Sequence, residues 1–480
     1  MWGRRGGTGE PAATGSRWCD KGFARTNESI IRTNSELNFW NRERPAWPCA
    51  AHWMESTGEW AGGEFSGCES FRKHDSSSYP RLRGVAVTDM SGFDYYEFFA
   101  GGGMARAGLG AGWNCLFAND FDSKKVATYK ANWGSEHIVC EDVAKLPASR
   151  LPGRVDLAWA SFPCQDLSLA GDYAGLGRAA STELTRSGTF WPFWSLIKAL
   201  KKEQRAPRLI VLENVYGALT SRGGRDFAAI GGALSGSEYN FGALVVDASR
   251  FVPQSRPRVF IIAVANEIAV PPDLVAETPS DEWHPKALMS AHARLSPAGS
   301  KKWLWWRLPI PAARIDSFSD IVEDHPVDVK WHTPAETSRL IGMMSPVNRA
   351  KLENAMRTRQ RTVGTIYKRT RHDPDGAKRQ RAEVRFDEIA GCLRTPRGGS
   401  SRQTIIVVHG DKVRSRLLSS REAARLMGLD DGYRLPERYN DAYHVAGDGV
   451  CVPAVRHLAA CLLEPILRFR TEEMPTLAAE

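Results

Sequence analysis

Residues 95–120 read YYEFFAGGGMARAGLGAGWNCLFAND, and this stretch decides the fold. Tyr95 to Ala100 is a short, mostly apolar run that stops at Gly101-Gly102-Gly103. A helix-like segment follows, and a second apolar run from Cys115 to Asn119 ends in Asp120. Strand, glycine turn, helix, strand is the opening of a parallel sheet, because parallel neighbours need a crossover that a helix supplies. Farther along, Asp156–Ser161, Leu209–Leu212 and Val259–Val264 are apolar runs bounded by polar residues, the pattern of buried strands. The expected fold is α/β: a Rossmann-like, doubly wound, mostly parallel sheet. Such sheets bind ligands at the carboxyl ends of their strands, and each motif below is expected at such an end.

Outside this core the texture changes. Residues 1–92 are rich in Gly, Ser, Arg and Trp without a sustained period, and predict a poorly ordered N-terminal extension, or sequence upstream of a true start at Met90. The core built on this sheet, a catalytic domain if the motifs below are read as a site, is expected over 93–265. From 266 prolines, basic residues and Trp303, Trp305, Trp306 and Trp331 break the rhythm, predicting a smaller loop-rich domain over 266–403. Residues 404–480 regain apolar periodicity and are expected to return to the core. There Ser419 and Glu422 form a capping-box start for a helix through Met427, and a last apolar helix is expected from about Val455 to Leu467.

A hydrophobic fraction of 42% in 480 residues supplies a large core and argues against global disorder. No run of about 18 apolar residues and no basic-then-apolar leader is present, so neither a membrane span nor a signal peptide is expected. Nine cysteines, none in a Cys-x-x-Cys pair, argue against a zinc ribbon and for a reduced, cytoplasmic setting. The net charge is +9, and Lys351–Arg402 alone holds 14 Lys/Arg against 6 Asp/Glu. Such a concentration fits a polyanion, whose counterions are released on binding; a solvated loop is the plain alternative.

The glycine turn lets backbone approach a ligand, and Asp120, roughly 20 residues on, stands where an acid can take ribose hydroxyls. Arg106 occupies the place of the third glycine of a dinucleotide fingerprint, which favours S-adenosylmethionine, a ligand without pyrophosphate. Phe121 could pack on adenine and Asp142 could accept from its amino group; a core aromatic and a helix cap are the plain alternatives.

Four further segments join this one: Ser161-Phe162-Pro163-Cys164-Gln165, Leu212-Glu213-Asn214-Val215, Gln254-Ser255-Arg256-Pro257-Arg258 and Gly447-Asp448-Gly449-Val450. In order and spacing the set resembles the DNA (cytosine-5) methyltransferase family over roughly residues 93–470. The resemblance implies a methyl transfer from S-adenosylmethionine, without a metal, to a cytosine flipped out of double-stranded DNA. Carbon 5 of cytosine is a poor nucleophile, and a thiolate added at carbon 6 activates it. Cys164 is the implied nucleophile. Glu213 would interact with ring nitrogen 3, Arg258 with the cytosine O2, Arg256 with the loop or a phosphate, and Asn214 and Gln254 complete the catalytic set. Phe99, Ala100, Gly101, Gly102, Gly103, Asp120, Phe121, Asp142, Val143, Pro163, Phe190, Asp448 and Gly449 are the implied cofactor contacts. The glycine-rich stretch after Gln165 (Ser168, Gly171, Gly175, Gly177) matches the family loop that closes over DNA, and Arg186–Trp191 matches a further family segment. The basic middle region corresponds to a target-recognition domain, braced by Arg394–Arg402. A monomer is expected, in the cytoplasm or at a bacterial nucleoid, with a separately acting restriction endonuclease as a companion and no membrane partner.

This sequence departs from the family at Glu97 (usually Asp), Met104 (usually Gly) and Asp448 (usually Asn). The competing readings are the tRNA-directed branch of the family, a DNA-binding homologue without catalysis, and a nicotinamide oxidoreductase.

Overall fold

The computed structural model describes residues 92–163, 186–372, 376–394 and 402–469. The chain divides into Met1–Val85 and Ala86–Glu480, and the described residues belong to the second unit. Strands β1 (Phe93–Phe98), β2 (Trp113–Asp120), β3 (Ile138–Cys140), β4 (Leu157–Ala160), β5 (Leu209–Val215), β6 (Tyr239–Asp247) and β7 (Pro257–Ala265) form one sheet of order β3-β2-β1-β4-β5-β7-β6. β1 to β5 pair in parallel, and β7 runs antiparallel to both β5 and β6. The chain winds outward from β1 to one side and from β4 to the other. The β1/β4 gap is therefore the switch point, with the glycine turn after one strand and Pro163 after the other.

Alternation across the strands divides the interior in two. Tyr95 and Trp159 point into one core with α1 (Met104–Leu109) and α2 (Ser123–Trp133). Tyr96, Ala158 and Ala160 point into the other with α3 (Phe190–Lys202) and α4 (Arg225–Ser235). The antiparallel β7 corrects one expectation: the Gln254–Arg258 motif leads into β7 and forms its first residues, so it lies at that strand's amino end. It still meets the other motifs, because reversal brings Arg258 opposite Val215 at the carboxyl end of β5.

Beyond the sheet come a two-stranded piece, β8 (Val275–Ala276) with β9 (Trp305–Trp306), and short helices α5 (Lys286–His292), α6 (Pro297–Lys301), α7 (Phe318–Ile321), α8 (Pro334–Gly342) and α9 (Pro346–Arg357). The loop-rich stretch also carries a four-stranded antiparallel sheet of order β11-β10-β12-β13, from β10 (Thr362–His372), β11 (Lys378–Arg385), β12 (Thr404–His409) and β13 (Lys412–Leu417). β12 pairs with β10, so this sheet crosses position 403. Ile366, Ala382, Ile406 and Val408 pack it on Leu340 and Leu352 of α8 and α9.

The chain then adds α10 (Ser420–Arg425), α11 (Tyr439–Asp448), α12 (Val452–Leu458) and α13 (Glu464–Arg468) to the first core. Ser419 and Glu422 make the capping box, though α10 ends at Arg425 rather than Met427. The last helix starts earlier than expected, at Val452, and a π turn over Ala459–Leu463 precedes Pro465. Tyr439–Arg468 contains a stretch apolar enough by composition to cross a membrane, but most of that stretch is buried within the fold. It serves as core.

Arg416 and Glu422 are both fully buried and paired at 2.6 Å. Glu422 also accepts from the backbone N–H groups of Ser419 and Glu323, and Arg416 Nη2 donates to the Glu323 carbonyl. Removing one partner strands the other without solvent, so Arg416→Met should lower unfolding free energy by about 3 kcal/mol in urea titrations. A loss under about 1 kcal/mol, the range of exposed pairs, would contradict this reading.

Candidate active site

At the glycine turn Gly101 and Gly103 have φ of +57° and +79°, and Phe99 is also left-handed at +58°. A side chain at Gly102 would run into the Tyr433 hydroxyl and Val445, and one at Gly103 into the Trp133 ring. At Gly101 it would meet open space, so the turn presents that backbone outward. Asp120 fixes the turn from the end of β2: Oδ2 accepts from Gly101 N at 2.9 Å and Oδ1 from Asp122 N at 2.8 Å. Burial raises its pKa, against the pull of Lys125 and those two amides. Next to it the Phe121 ring is 68% exposed.

Other expected contacts have definite structural partners. Asp142 caps the turn after β3, accepting from Ala144 N at 2.9 Å, and Val143 is buried in the second core. Phe190 is fully buried, between Phe162 and a stacked Trp194, so it reaches the site by packing beneath it. Gly449 lies against Met104, which leaves no room for any Cβ. Asp448 pairs with Lys125 at 2.8 Å. Ala100 is buried, and Pro163 is the last residue described before Cys164. Glu97 is buried beneath the turn with Oε2 unpartnered, and burial pushes its pKa up to about 8. Arg106 turns away onto Tyr129 and Trp133, donating to the Tyr129 hydroxyl at 2.9 Å.

S-adenosylmethionine fits this donor set. An outward-facing glycine backbone, a buried acid at the end of β2 and an exposed aromatic ring beside it suit an adenosine. No group of three or more His, Cys, Asp or Glu able to hold a metal exists among the described residues.

Cys164, Gln165, Ser168, Gly171, Gly175 and Gly177 lie outside the described residues, as do Thr395–Ser401 of the expected bracing segment. Asn214 Nδ2 donates to the Phe162 carbonyl at 3.1 Å, and Val215 N donates back to Asn214 Oδ1 at 2.9 Å. The end of β4 is thus held two residues before Cys164. Glu213 is 6% exposed, with Arg258 Nε 3.2 Å from Oε1. β5 and β7 bring the pair together.

Gln254 and Arg256 are internal braces. Gln254 Nε2 donates to the Leu426 carbonyl at 2.7 Å, and its Oε1 accepts from Leu393 N at 3.1 Å. Arg256, 1% exposed, donates to the carbonyls of Leu393, Gly447 and Gly449 at 3.1, 2.8 and 2.7 Å. A side chain so enclosed holds the loop and does not reach a phosphate. Cys392, which no motif flagged, lies 3.4 Å from Arg256 Nη1. Burial raises its thiol pKa, but Arg256, Arg258 and Arg394 outweigh that and the net shift is downward. Sequence reading also missed Lys125, Trp133 and Tyr433, because nothing in their local pattern marks a site.

The family model described as C-5 cytosine-specific DNA methylase matches residues 93–464. The chain is 25% identical over 371 residues to the Type II methyltransferase M.NlaX of Neisseria lactamica, covering 76% of this chain and 95% of that protein. It is likewise 25% identical over 397 residues to the Type II methyltransferase M.HpaII of Haemophilus parainfluenzae, covering 78% and 90%. A solved DNMT2 mutant of Spodoptera frugiperda superposes with a TM-score of 0.50 at 15% identity, over 78% of this chain and all of that one, a likeness of fold alone. A match across the whole sheet, from β1 into α13, means that the chain belongs to the C-5 cytosine-specific DNA methylase family.

Proposed function

We propose that this protein methylates carbon 5 of a cytosine flipped out of duplex DNA, with Cys164 as nucleophile. The observation that carries the reading is the buried Glu213–Arg258 pair, set beside the Asn214 bond that holds the strand end before Cys164. In the reaction Cys164 Sγ bonds carbon 6 of the ring. Glu213 shares a proton with nitrogen 3, so negative charge does not accumulate on the base. Arg258 offers its guanidinium to the O2 carbonyl. S-adenosylmethionine, when bound, supplies the methyl group that carbon 5 accepts. A base or water then takes the carbon 5 proton, and the electron pair released expels Cys164 as thiolate. Phe99–Gly103, Asp120, Phe121, Asp142, Val143, Pro163, Asp448 and Gly449 would hold the cofactor, with Phe190 packed beneath.

The second sheet supports DNA as substrate. β10 pairs with β12 only over Thr362–Ile366, whereas its pairing with β11 continues to His372. From Arg369 outward, past the buried Ala382, the two strands form a largely exposed arm. Across it Arg369 faces Arg381, Arg371 faces Arg379 and His372 faces Lys378. Like charges directly opposite are destabilising. Glu383 answers Arg369 and Arg371, at 3.3 and 2.5 Å. Four arginines brought together on one ribbon suit a polyanion, and the major groove admits a two-stranded ribbon. Replacing Arg369, Arg371, Arg379 and Arg381 together by Gln should weaken duplex binding roughly 10- to 100-fold and flatten its salt slope by about one unit per lost phosphate contact. Unchanged affinity and slope would remove the arm from the DNA surface.

The deciding experiment incubates the protein and S-adenosylmethionine with duplexes of varied sequence carrying 5-fluorocytosine, whose fluorine cannot leave as a proton does. A covalent adduct on a denaturing gel, absent with Cys164→Ser, is expected. An adduct with fluorocytosine-substituted tRNA alone would move the substrate to RNA, and none with either would leave a non-catalytic homologue. A companion restriction endonuclease belongs to the same proposal, since M.NlaX and M.HpaII are Type II methyltransferases.

A further inference from the structure

Asp448 stands where the family has an amide, and its partner explains how a carboxylate is tolerated there. Lys125 Nζ lies 2.8 Å from Asp448 Oδ2, with the lysine side chain 20% exposed. Each residue lies one helical turn from a side chain that borders the glycine turn. Lys125 is one helical turn before Thr128, whose methyl lies near Gly102; Asp448 is one turn after Val445, which also borders Gly102. Lys125 also belongs to the first turn of α2, just past the carboxyl end of β2, on the ligand side of the sheet. The ammonium feels both Asp448 and Asp120: burial pulls its pKa down, but the two carboxylates outweigh this and the net shift is upward.

Fastening two helices does not need this arrangement. The neighbouring Lys124–Asp441 pair already joins α2 to α11 at 2.9 Å from a position where the lysine is 62% exposed. Asp120 has both oxygens engaged by backbone amides, and Arg106 is turned onto Tyr129 and Trp133. A cofactor that ends in an amino acid brings a carboxylate that needs a cation, and a lysine ammonium has three donors, of which Asp448 uses one.

Resting on the cofactor reading above, we infer that Lys125 binds the α-carboxylate of the cofactor's amino-acid end, with Asp448 holding the ammonium in position. Asp448 is here a positioning residue, and its departure from the family is matched by Lys125 across 323 residues of sequence.

The test is calorimetric binding of two ligands to the full-length protein: S-adenosylhomocysteine, which carries the amino acid, and 5′-methylthioadenosine, which lacks it. Lys125→Met should weaken S-adenosylhomocysteine about 10- to 100-fold, the scale of one charge-assisted hydrogen bond, and leave 5′-methylthioadenosine within about twofold. Retained binding of the smaller ligand shows that the variant folds and keeps its adenosine site. Lys125→Arg should restore most of the lost affinity. Equal losses for both ligands, or no loss for S-adenosylhomocysteine, would make the pair a helix fastening and overturn the inference. If the unaltered protein binds neither ligand, the cofactor reading itself fails.

Discussion

Cys164→Ser should lower methyl transfer by roughly four orders of magnitude or more, with the cofactor still bound at close to its normal affinity. The size of the effect follows from what the sulfur does. A thiol is a few per cent thiolate near neutral pH and is intrinsically very nucleophilic, whereas a serine hydroxyl is almost wholly protonated. Without addition at carbon 6, carbon 5 keeps the weak nucleophilicity of a neutral pyrimidine, and neither Glu213 nor Arg258 can substitute for that bond. The replacement is nearly isosteric. The end of β4 is held by Asn214 through the Phe162 carbonyl, and the Glu213–Arg258 pair is held by β5 and β7, so the surroundings should survive. Thermal melting should therefore move by less than about 2 °C, the scale of a surface substitution. Single-turnover transfer of a labelled methyl group to duplex DNA measures the rate. A serine variant within tenfold of the unaltered protein would exclude Cys164 as the nucleophile, whatever the family.

The parts of the molecule that could be read from sequence are those whose signal is local. β1, the glycine turn and β2 were legible because a buried parallel strand is a continuous apolar run and its turn demands glycine. The capping box at Ser419 was legible because both of its residues lie within one turn. What escaped depends on pairing. The apolar run Val259–Val264 announces a strand, but its direction exists only in its register with β5, and that register places Arg258 beside Glu213. β6 escaped because Asn240, Gly242 and Asp247 interrupt its apolar pattern. The arm escaped because strands exposed on both faces show no alternation at all. Glu422 was legible as a cap but not as the buried partner of Arg416. In the same way Gln254 and Arg256 carried the right residue types, and only the fold tells which carbonyls they hold.

Arg256→Met should cost about 4 kcal/mol of stability and should also weaken cofactor binding, two effects that a solvent-facing arginine would not combine. Arg256 is the point where three distant segments meet. Its backbone N–H donates to Asp247 at the end of β6, and its guanidinium holds the Leu393 carbonyl before the bracing segment and the Gly447 and Gly449 carbonyls at the end of α11. Methionine fills much of the volume but offers no donor, so carbonyls are left buried without partners, at about 1–3 kcal/mol each before relaxation. Part of that is returned, because the guanidinium no longer has to be desolvated; burial, with Arg258 nearby, already pulls its pKa down. The functional consequence follows from the same bonds. Gly449 packs against Met104 beneath the glycine turn, and Asp448 positions Lys125, so a loosened end of α11 disturbs the cofactor side without touching the ligand. Urea unfolding and S-adenosylhomocysteine titration of one variant test both halves. If stability falls while affinity holds, Arg256 braces the fold alone. If neither changes, the carbonyls of Leu393, Gly447 and Gly449 find other donors and the brace assigned to Arg256 is wrong.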